Sequence, residues 1–334
     1  MRFSVRYDFR NPPRWHRSWQ DLYRQLLDQA VLADEMGYDA IWLSEHHFTE
    51  DGYCPAILPL LGALTSRTQR ARLGTFILLL PLYHPLRLAE DVATLDLLSG
   101  GRIDLGVAAG YRPEEFAAHN MSTRERAGRM EEGLELLIQA WTKEEVSFAG
   151  AYYTAEGLPV RPRPLQQPHP PLWMGGESPA AIRRAARYGC HFMPTTTGHD
   201  TVHAYREELA RLGRDPTQFQ IALPRVIYVI DDPEAGWQEL RDHLLYQHNV
   251  YCGWAADAGL IRRDRGRPLR SPEELPRDQY IIGEPAFCTE ALEKLRTDLA
   301  VDEITLWAVL PGFDIGKSTR SLERFAAEVM PHFQ

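Results

Sequence analysis

The sequence is short of positive charge. Lys and Arg number 37 against 46 Asp and Glu, for a formal net charge of −9. A chain without a broad basic footprint cannot neutralise many phosphates, so nucleic acid is not an expected partner. Cysteine is scarce as well. Cys54, Cys190, Cys252 and Cys288 form no Cys-x-x-Cys pair, which argues against a zinc ribbon or a redox dithiol. Long hydrophobic runs are missing. The apolar run from Phe76 to Leu82 is far below the ~20 residues that span a bilayer. Residues 1–8 are broken by charge, so no secretory signal core is expected. These absences predict a cytoplasmic protein with reduced thiols and no membrane contact.

What is present is a regular alternation. The 334 residues are 44% hydrophobic, enough for a sizeable core. Strand patterns fall at 3–7, 40–43, 73–80, 103–108, 172–174, 191–193, 220–230 and 303–309. Helical patterns fall at 22–36, 55–66, 86–98, 126–141, 179–188, 200–212, 234–246, 290–299 and 318–329. Gly37 and the Ser99-Gly100-Gly101 triplet end two of these helices. Short apolar strands alternating with helices predict an α/β fold, a parallel sheet closed into a (β/α)8 TIM barrel over residues 1–334. The surplus length lies in a hairpin-bearing, proline-rich insertion at 146–171 and an irregular segment at 252–279. A doubly wound open sheet is the alternative. No Gly-x-Gly-x-x-Gly fingerprint follows a strand to support it.

In a barrel the chemistry sits at the C-terminal strand ends. The second strand ends in Ser44-Glu45-His46-His47-Phe48-Thr49-Glu50. Adjacent side chains on extended backbone point apart, so His46 and His47 are poorly placed to share a metal. Either one bonds to backbone while the other faces solvent, or a neutral imidazole serves as donor or base in the mouth. A second segment, Gly175-Gly176-Glu177-Ser178-Pro179, runs from strand to helix. Its glycines allow close backbone approach, Ser178 suits an N-cap, and the free amides could bind a phosphate. A plain capped turn explains it equally. Residues 312–319 resemble a P-loop but place three residues, not four, between the glycines. They are read as a helix entry. Arg262, Arg263, Arg265, Arg267 and Arg270 form a local positive patch, either a solvated loop or a lid over the mouth.

Taken together, residues 37–50, 81–91 and 95–102, the Gly-Gly-Glu-Ser turn, and the weaker 283–285 and 329–331 resemble the bacterial luciferase-like flavin monooxygenase family. The resemblance runs from residue 1 to about 250 and again from 282 to 333. It implies a barrel with insertions and a homodimer formed through the second and third helices. It also implies reduced FMN reacting with dioxygen through a flavin hydroperoxide to oxygenate a small organic substrate. By the same resemblance His46 matches the active-site histidine, and Phe76 and Ile77 match a cis peptide under the flavin ring. Glu177 and Ser178 match the phosphate turn, with Gly175 and Gly176 before them. Tyr111 matches a backbone contact near it, and Glu45 joins the cofactor set. Ala109 and Ala181 stand where luciferase has a phosphate-binding arginine and threonine. The arginine-rich loop could compensate, or FMN is held loosely as a co-substrate from a separate flavin reductase. Two further readings stay open: deazaflavin-dependent hydride transfer, and a non-catalytic flavin-binding accessory subunit. Tyr7, Phe9, Trp15, Tyr53 and Trp254 either line an aromatic pocket or are packing or loop residues.

Overall fold

The computed structural model describes residues 1–194, 199–260 and 267–334. In chain order the strands are β1 (Arg2–Tyr7), β2 (Ala40–Leu43), β3 (Arg72–Thr75), β4 (Leu78–Leu79), β5 (Ile103–Ala108), β6 (Val146–Ala149) and β7 (Thr154–Leu158). There follow β8 (Leu172–Gly175), β9 (His191–Met193), β10 (Ala222–Arg225), β11 (Ile227–Val229), β12 (Ile281–Gly283) and β13 (Glu303–Trp307). The helices are α1 (Trp19–Met36), α2 (Ile57–Thr65), α3 (Pro85–Ser99), α4 (Pro113–Ala118), α5 (Arg126–Thr142) and α6 (Pro179–Tyr188). They continue with α7 (His199–Arg211), α8 (Pro233–Asp257), α9 (Pro285–Leu299) and α10 (Ile315–Arg324).

The expected parallel barrel is present. Its strands lie in the order β10-β13-β1-β2-β3-β5-β8-β9, with β4 beside β5. A parallel bridge between Phe192 and Ile221 links β9 back towards β10. Local signals account for the ends of its helices. Ser18 caps α1 and Gly37 ends it in the left-handed region at φ 91°, where glycine carries no Cβ penalty. Pro179 follows the Ser178 cap of α6. Asp314 accepts from the Lys317 amide at 2.7 Å and starts α10, so the P-loop look-alike is a helix entry, as read. The insertion at 146–171 begins with the antiparallel pair β6–β7.

Three elements differ from the sequence reading. The single strand expected at 73–80 is two, β3 and β4, on either side of a cis Phe76–Ile77 peptide. There the Phe76 carbonyl accepts from Ser44 Oγ at 2.7 Å instead of joining a strand ladder. The strand expected at 220–230 leaves the barrel after Arg225. Its continuation β11 pairs with β12 through contacts such as Ile281 N to Val226 O, 3.0 Å. Helix α8 runs on to Asp257 because Cys252 and Ala255 extend its buried face. The irregular segment therefore starts after 257. Arg262, Arg263 and Arg265 lie outside the described residues. Arg267, by contrast, is largely exposed and paired with Glu274 at 3.0 Å.

Side chains alternate between two cores. Val5, Ile41, Leu73, Leu105, Leu223 and Ile304 belong to the apolar core shared with the helices. The barrel interior holds Trp42, Phe76, Trp173 and Met193 in one cluster, above a polar layer. In that layer Glu303, 1% exposed, accepts from Ser4 Oγ at 2.6 Å and Trp42 Nε1 at 2.8 Å, and pairs with Arg2 at 2.8 Å. This layer lies at the opposite end of the barrel from the candidate chemistry, where such contacts serve stability. Among the described residues, no helix is long and apolar enough to cross a membrane.

Replacing Glu303 with Ala leaves buried donors without an acceptor. It is expected to lower unfolding stability by about 3 kcal/mol, measured by urea denaturation, with the mouth geometry unchanged.

Candidate active site at the C-terminal strand ends

The chain leaving β2 carries the two histidines in opposite directions. His46 Nδ1 meets Glu115 Oε1 at 2.9 Å. His47 Nε2 meets Glu45 Oε1 at 3.1 Å. Each imidazole therefore has its own buried carboxylate, as the alternation of extended backbone requires.

Glu115 sits in α4, a single short helix after β5 that opens with Pro113 at its first position. Its carboxylate is fully buried. Three donors converge on Oε1: the His46 ring, the His47 backbone N–H at 3.0 Å, and Arg112 Nη1 at 3.3 Å. Arg112 also donates to the His47 carbonyl at 2.7 Å. Burial works to raise the Glu115 pKa. The hydrogen bond and charge of His46, the His47 amide and the Arg112 charge outweigh it, and the carboxyl stays below its ordinary value. It is thus ionised and acceptor-only.

That fixes the state of His46. Burial lowers its pKa, and the charges of Arg112 and Arg10 push the same way. The Glu115 bond opposes them without prevailing. A neutral ring whose Nδ1–H donates to a carboxylate has its lone pair on Nε2. The arrangement therefore offers an acceptor, backed by a carboxylate that would stabilise the imidazolium, as in a hydrolase triad. His47 is different. Burial lowers its pKa, but the bond to Glu45 and its charge raise it further, for a net increase.

The His46 ring is enclosed by aromatic side chains. Ring centroids lie at 4.8 Å for Tyr53, 5.9 Å for Tyr111, 6.4 Å for Tyr251 and 4.7 Å for Trp254. Tyr251 and Trp254 come from the unexpected extension of α8, and the Tyr53 and Tyr251 hydroxyls are 2.8 Å apart. Behind this wall Arg10 pairs with Asp51 at 2.6 Å and faces the Tyr53 and Tyr246 rings. Burial, opposed by Arg10, lifts the neighbouring Asp8 to about 6.

The phosphate-turn candidates lie at the end of β8. A Cβ on Gly175 would meet Ile77 Cδ1, so the Ile77 side chain packs directly against this stretch of backbone. Gly176 sits at φ 120°, outside the range of ordinary side chains. Ser178 Oγ accepts from the Ala181 amide at 3.2 Å. Ile77 and the turn are thus brought together. Tyr111 is brought to His46, and Ala109 follows the end of β5. Glu45 is placed differently from a ligand-facing residue. Its oxygens are taken by Leu79 N at 2.6 Å, by His47 and by the Tyr83 hydroxyl.

Of the five aromatic candidates, Tyr53 and Trp254 line the site. Tyr7 and Phe9 are buried in the core against each other, 6.2 Å between centroids. Trp15 stacks on His243 at 4.1 Å. Sequence reading missed Glu115, Arg112 and Tyr251. The available signal for Glu115 was Pro113 followed by Glu114 and Glu115 at a strand end, the mark of a helix start.

Comparison with known proteins identifies the family. The profile of the luciferase-like monooxygenase family matches residues 1–303, and the chain belongs to that family. It is 27% identical to the oxygenase component of flavin-dependent trigonelline monooxygenase from Acinetobacter baylyi, covering 94% of this chain and 91% of that protein. It is 30% identical to F420-dependent glucose-6-phosphate dehydrogenase from Nakamurella multipartita, covering 93% and 92%. The structure of monooxygenase RslO1 from Streptomyces bottropensis superposes with a TM-score of 0.85 at 27% identity over the whole of both chains. The protein is accordingly an oxidoreductase with relatives that use either a flavin or F420.

Glu115→Gln keeps the shape of the carboxylate and removes its charge. The His46 pKa is expected to fall further, read by NMR titration of the imidazole, and stability to drop by about 1–3 kcal/mol. An unchanged His46 titration would show that the pair is not coupled.

Proposed function

We propose that the protein is the oxygenase component of a two-component monooxygenase. It would use reduced FMN and dioxygen to place one oxygen atom in a small organic substrate. The observation that carries this reading is the aromatic enclosure of His46. Oxygen activation on a reduced flavin demands exclusion of water, and Tyr53, Tyr251 and Trp254 supply it at the strand ends.

The residues present fit an FMN. Gly176, at φ 120°, carries the backbone into the capped turn, and the amides of that turn, with Ser178, suit its phosphate. Phe76 and Ile77 would lie under its ring. Bound reduced, FMN supplies the electrons for dioxygen activation. His46 Nε2 would accept a proton or hydrogen bond at the reacting centre, with Glu115 holding the ring. Glu45 acts through others, pinning His47 and the start of β4. Ala109 and Ala181 offer no polar side chain to the phosphate. We therefore read FMN as a passing co-substrate delivered by a separate flavin reductase, in keeping with the relative named as an oxygenase component. Residues 1–334 are read as one barrel domain of a cytoplasmic homodimer joined through α2 and α3, where Leu97 and Leu98 stand exposed.

One observation favours a second reading. An acceptor Nε2 backed by a carboxylate is a base suited to an alcohol proton, as hydride transfer to a deazaflavin requires. The relatives named as F420-dependent dehydrogenases fit that chemistry.

Anaerobic titration with reduced FMN and with reduced deazaflavin, followed by dioxygen uptake, separates the two. The oxygenase reading expects tighter binding of reduced FMN and dioxygen consumed with product formation. Saturable deazaflavin binding without dioxygen uptake replaces it with hydride transfer. His46→Ala is expected to retain cofactor binding while turnover falls at least ~100-fold. Undiminished turnover would remove His46 from the chemistry.

A further inference from the structure

Two arginines of the mouth meet acids: Arg10 pairs with Asp51 and Arg112 with Glu115. Arg225, at the end of β10, donates Nη1 to the Pro224 carbonyl at 2.7 Å and forms no ion pair among the described residues. Arg6, the penultimate residue of β1, forms no ion pair among the described residues. Its guanidinium lies between the faces of Phe76 and Trp307, 4.7 and 4.2 Å from their centroids. Nε donates to Ser44 Oγ and Nη2 donates to Tyr53 OH at 3.3 Å. Nη1 donates to no described residue. Asp8, the nearest acid along the chain, accepts from the Arg10 backbone N–H at 3.3 Å and attracts Arg6 only through space.

The placement is rigid. Ser44 passes its own proton to the Phe76 carbonyl at 2.7 Å, so Arg6 is tied to the backbone beneath the expected flavin ring. Two aromatic faces hold the guanidinium plane. An arginine keeps its charge at any ordinary pH and is costly to desolvate without a counter-ion. A clamped guanidinium with a free edge is shaped for a planar anion held by two parallel hydrogen bonds. The adjoining wall is flat and apolar: Tyr53, which Arg6 touches, also touches the His46 ring and stands 6.0 Å from Trp254.

We infer that Arg6 is the anchor for the carboxylate of the substrate, and that the substrate class is a small planar organic acid. Its body would lie along Tyr53 and Trp254, with its reacting carbon towards His46. This rests on the reading of the mouth as the reaction site, whichever cofactor serves it. The same chemistry could serve the anionic edge of reduced FMN, and the test separates the two.

The full-length protein is titrated calorimetrically with benzoate and with its uncharged analogue benzamide, with and without FMN. The wild type is expected to prefer benzoate by at least about tenfold. Arg6→Gln should abolish that preference, and Arg6→Lys, which keeps the charge but not the planar fork, should retain part of it. No preference in the wild type, or full preference in Arg6→Gln, overturns the inference. So does an Arg6→Gln protein that loses reduced FMN about tenfold while keeping its preference for benzoate. Should Arg6→Gln fail to fold, Arg6→Lys decides, since an undiminished preference there also overturns it. Benzoate binding requires no dioxygen, so failure of the oxygenase reading would leave this result standing.

Discussion

One buried oxygen organises the mouth of this barrel. Glu115 Oε1 receives His46, the His47 backbone and Arg112, and so joins the chain leaving β2 to the chain leaving β5. A buried carboxylate is tolerated only when its charge is met, and here two loops meet it together. The consequence is chemical as well as structural. With Nδ1 committed, the free nitrogen of His46 must be an acceptor. Glu45 repeats the device next door, holding His47, Leu79 and Tyr83. Two carboxylates therefore set the directions of two consecutive histidines, and only one of those histidines turns to the aromatic enclosure.

The enclosure depends on α8. Tyr251 and Trp254 reach His46 only because that helix continues past the point where its local pattern weakens. Arg10 and Arg112 cover the outer faces of the same rings, with Arg112 4.5 Å from the Trp254 centroid. Cation–π contact of this kind holds rings in place when desolvated. The wall over His46 is thus built from a helix of one region and cations of two others.

Much of this was legible in the sequence. Alternation located β1, and short apolar runs between turn residues located β2, β5, β8 and β13 closely. The rule that barrels carry chemistry at strand C-termini singled out His46 and the 175–178 turn. The failures have physical causes. Helix α4 is six residues long, too short to show a helical period, so Glu115 went unnoticed. The run at 220–230 is apolar on both sides of Arg225. Only pairing with Ile281–Gly283, some fifty residues on, reveals that it serves two sheets. The strand at 73–80 likewise hid its interruption, because Phe76 and Ile77 are as apolar as their neighbours. Arg6 looked like one charge in an alternating strand. Its seat between the Phe76 and Trp307 rings is a property of the assembled mouth.

The charges of that mouth are unevenly distributed, and this unevenness bears on what it can bind. Around His46 each carboxylate is answered: Glu115 by Arg112, Asp51 by Arg10. Arg6, which forms no ion pair among the described residues, stands across the aromatic floor from the acceptor nitrogen. A neutral ligand would gain nothing from that asymmetry and would leave a desolvated guanidinium unanswered. A ligand carrying an anionic end would be oriented by it, with its opposite end delivered to the imidazole. Orientation of this kind lets a small site choose one carbon of a featureless molecule. The same polarity serves oxygen insertion or hydride removal, because both need the reacting carbon held beside the flavin-type ring and a base behind it. Substrate choice and cofactor choice are therefore separable in this barrel. In the proposed reading the former would fall to Arg6 at the end of β1, while the turn after β8 would hold the cofactor phosphate.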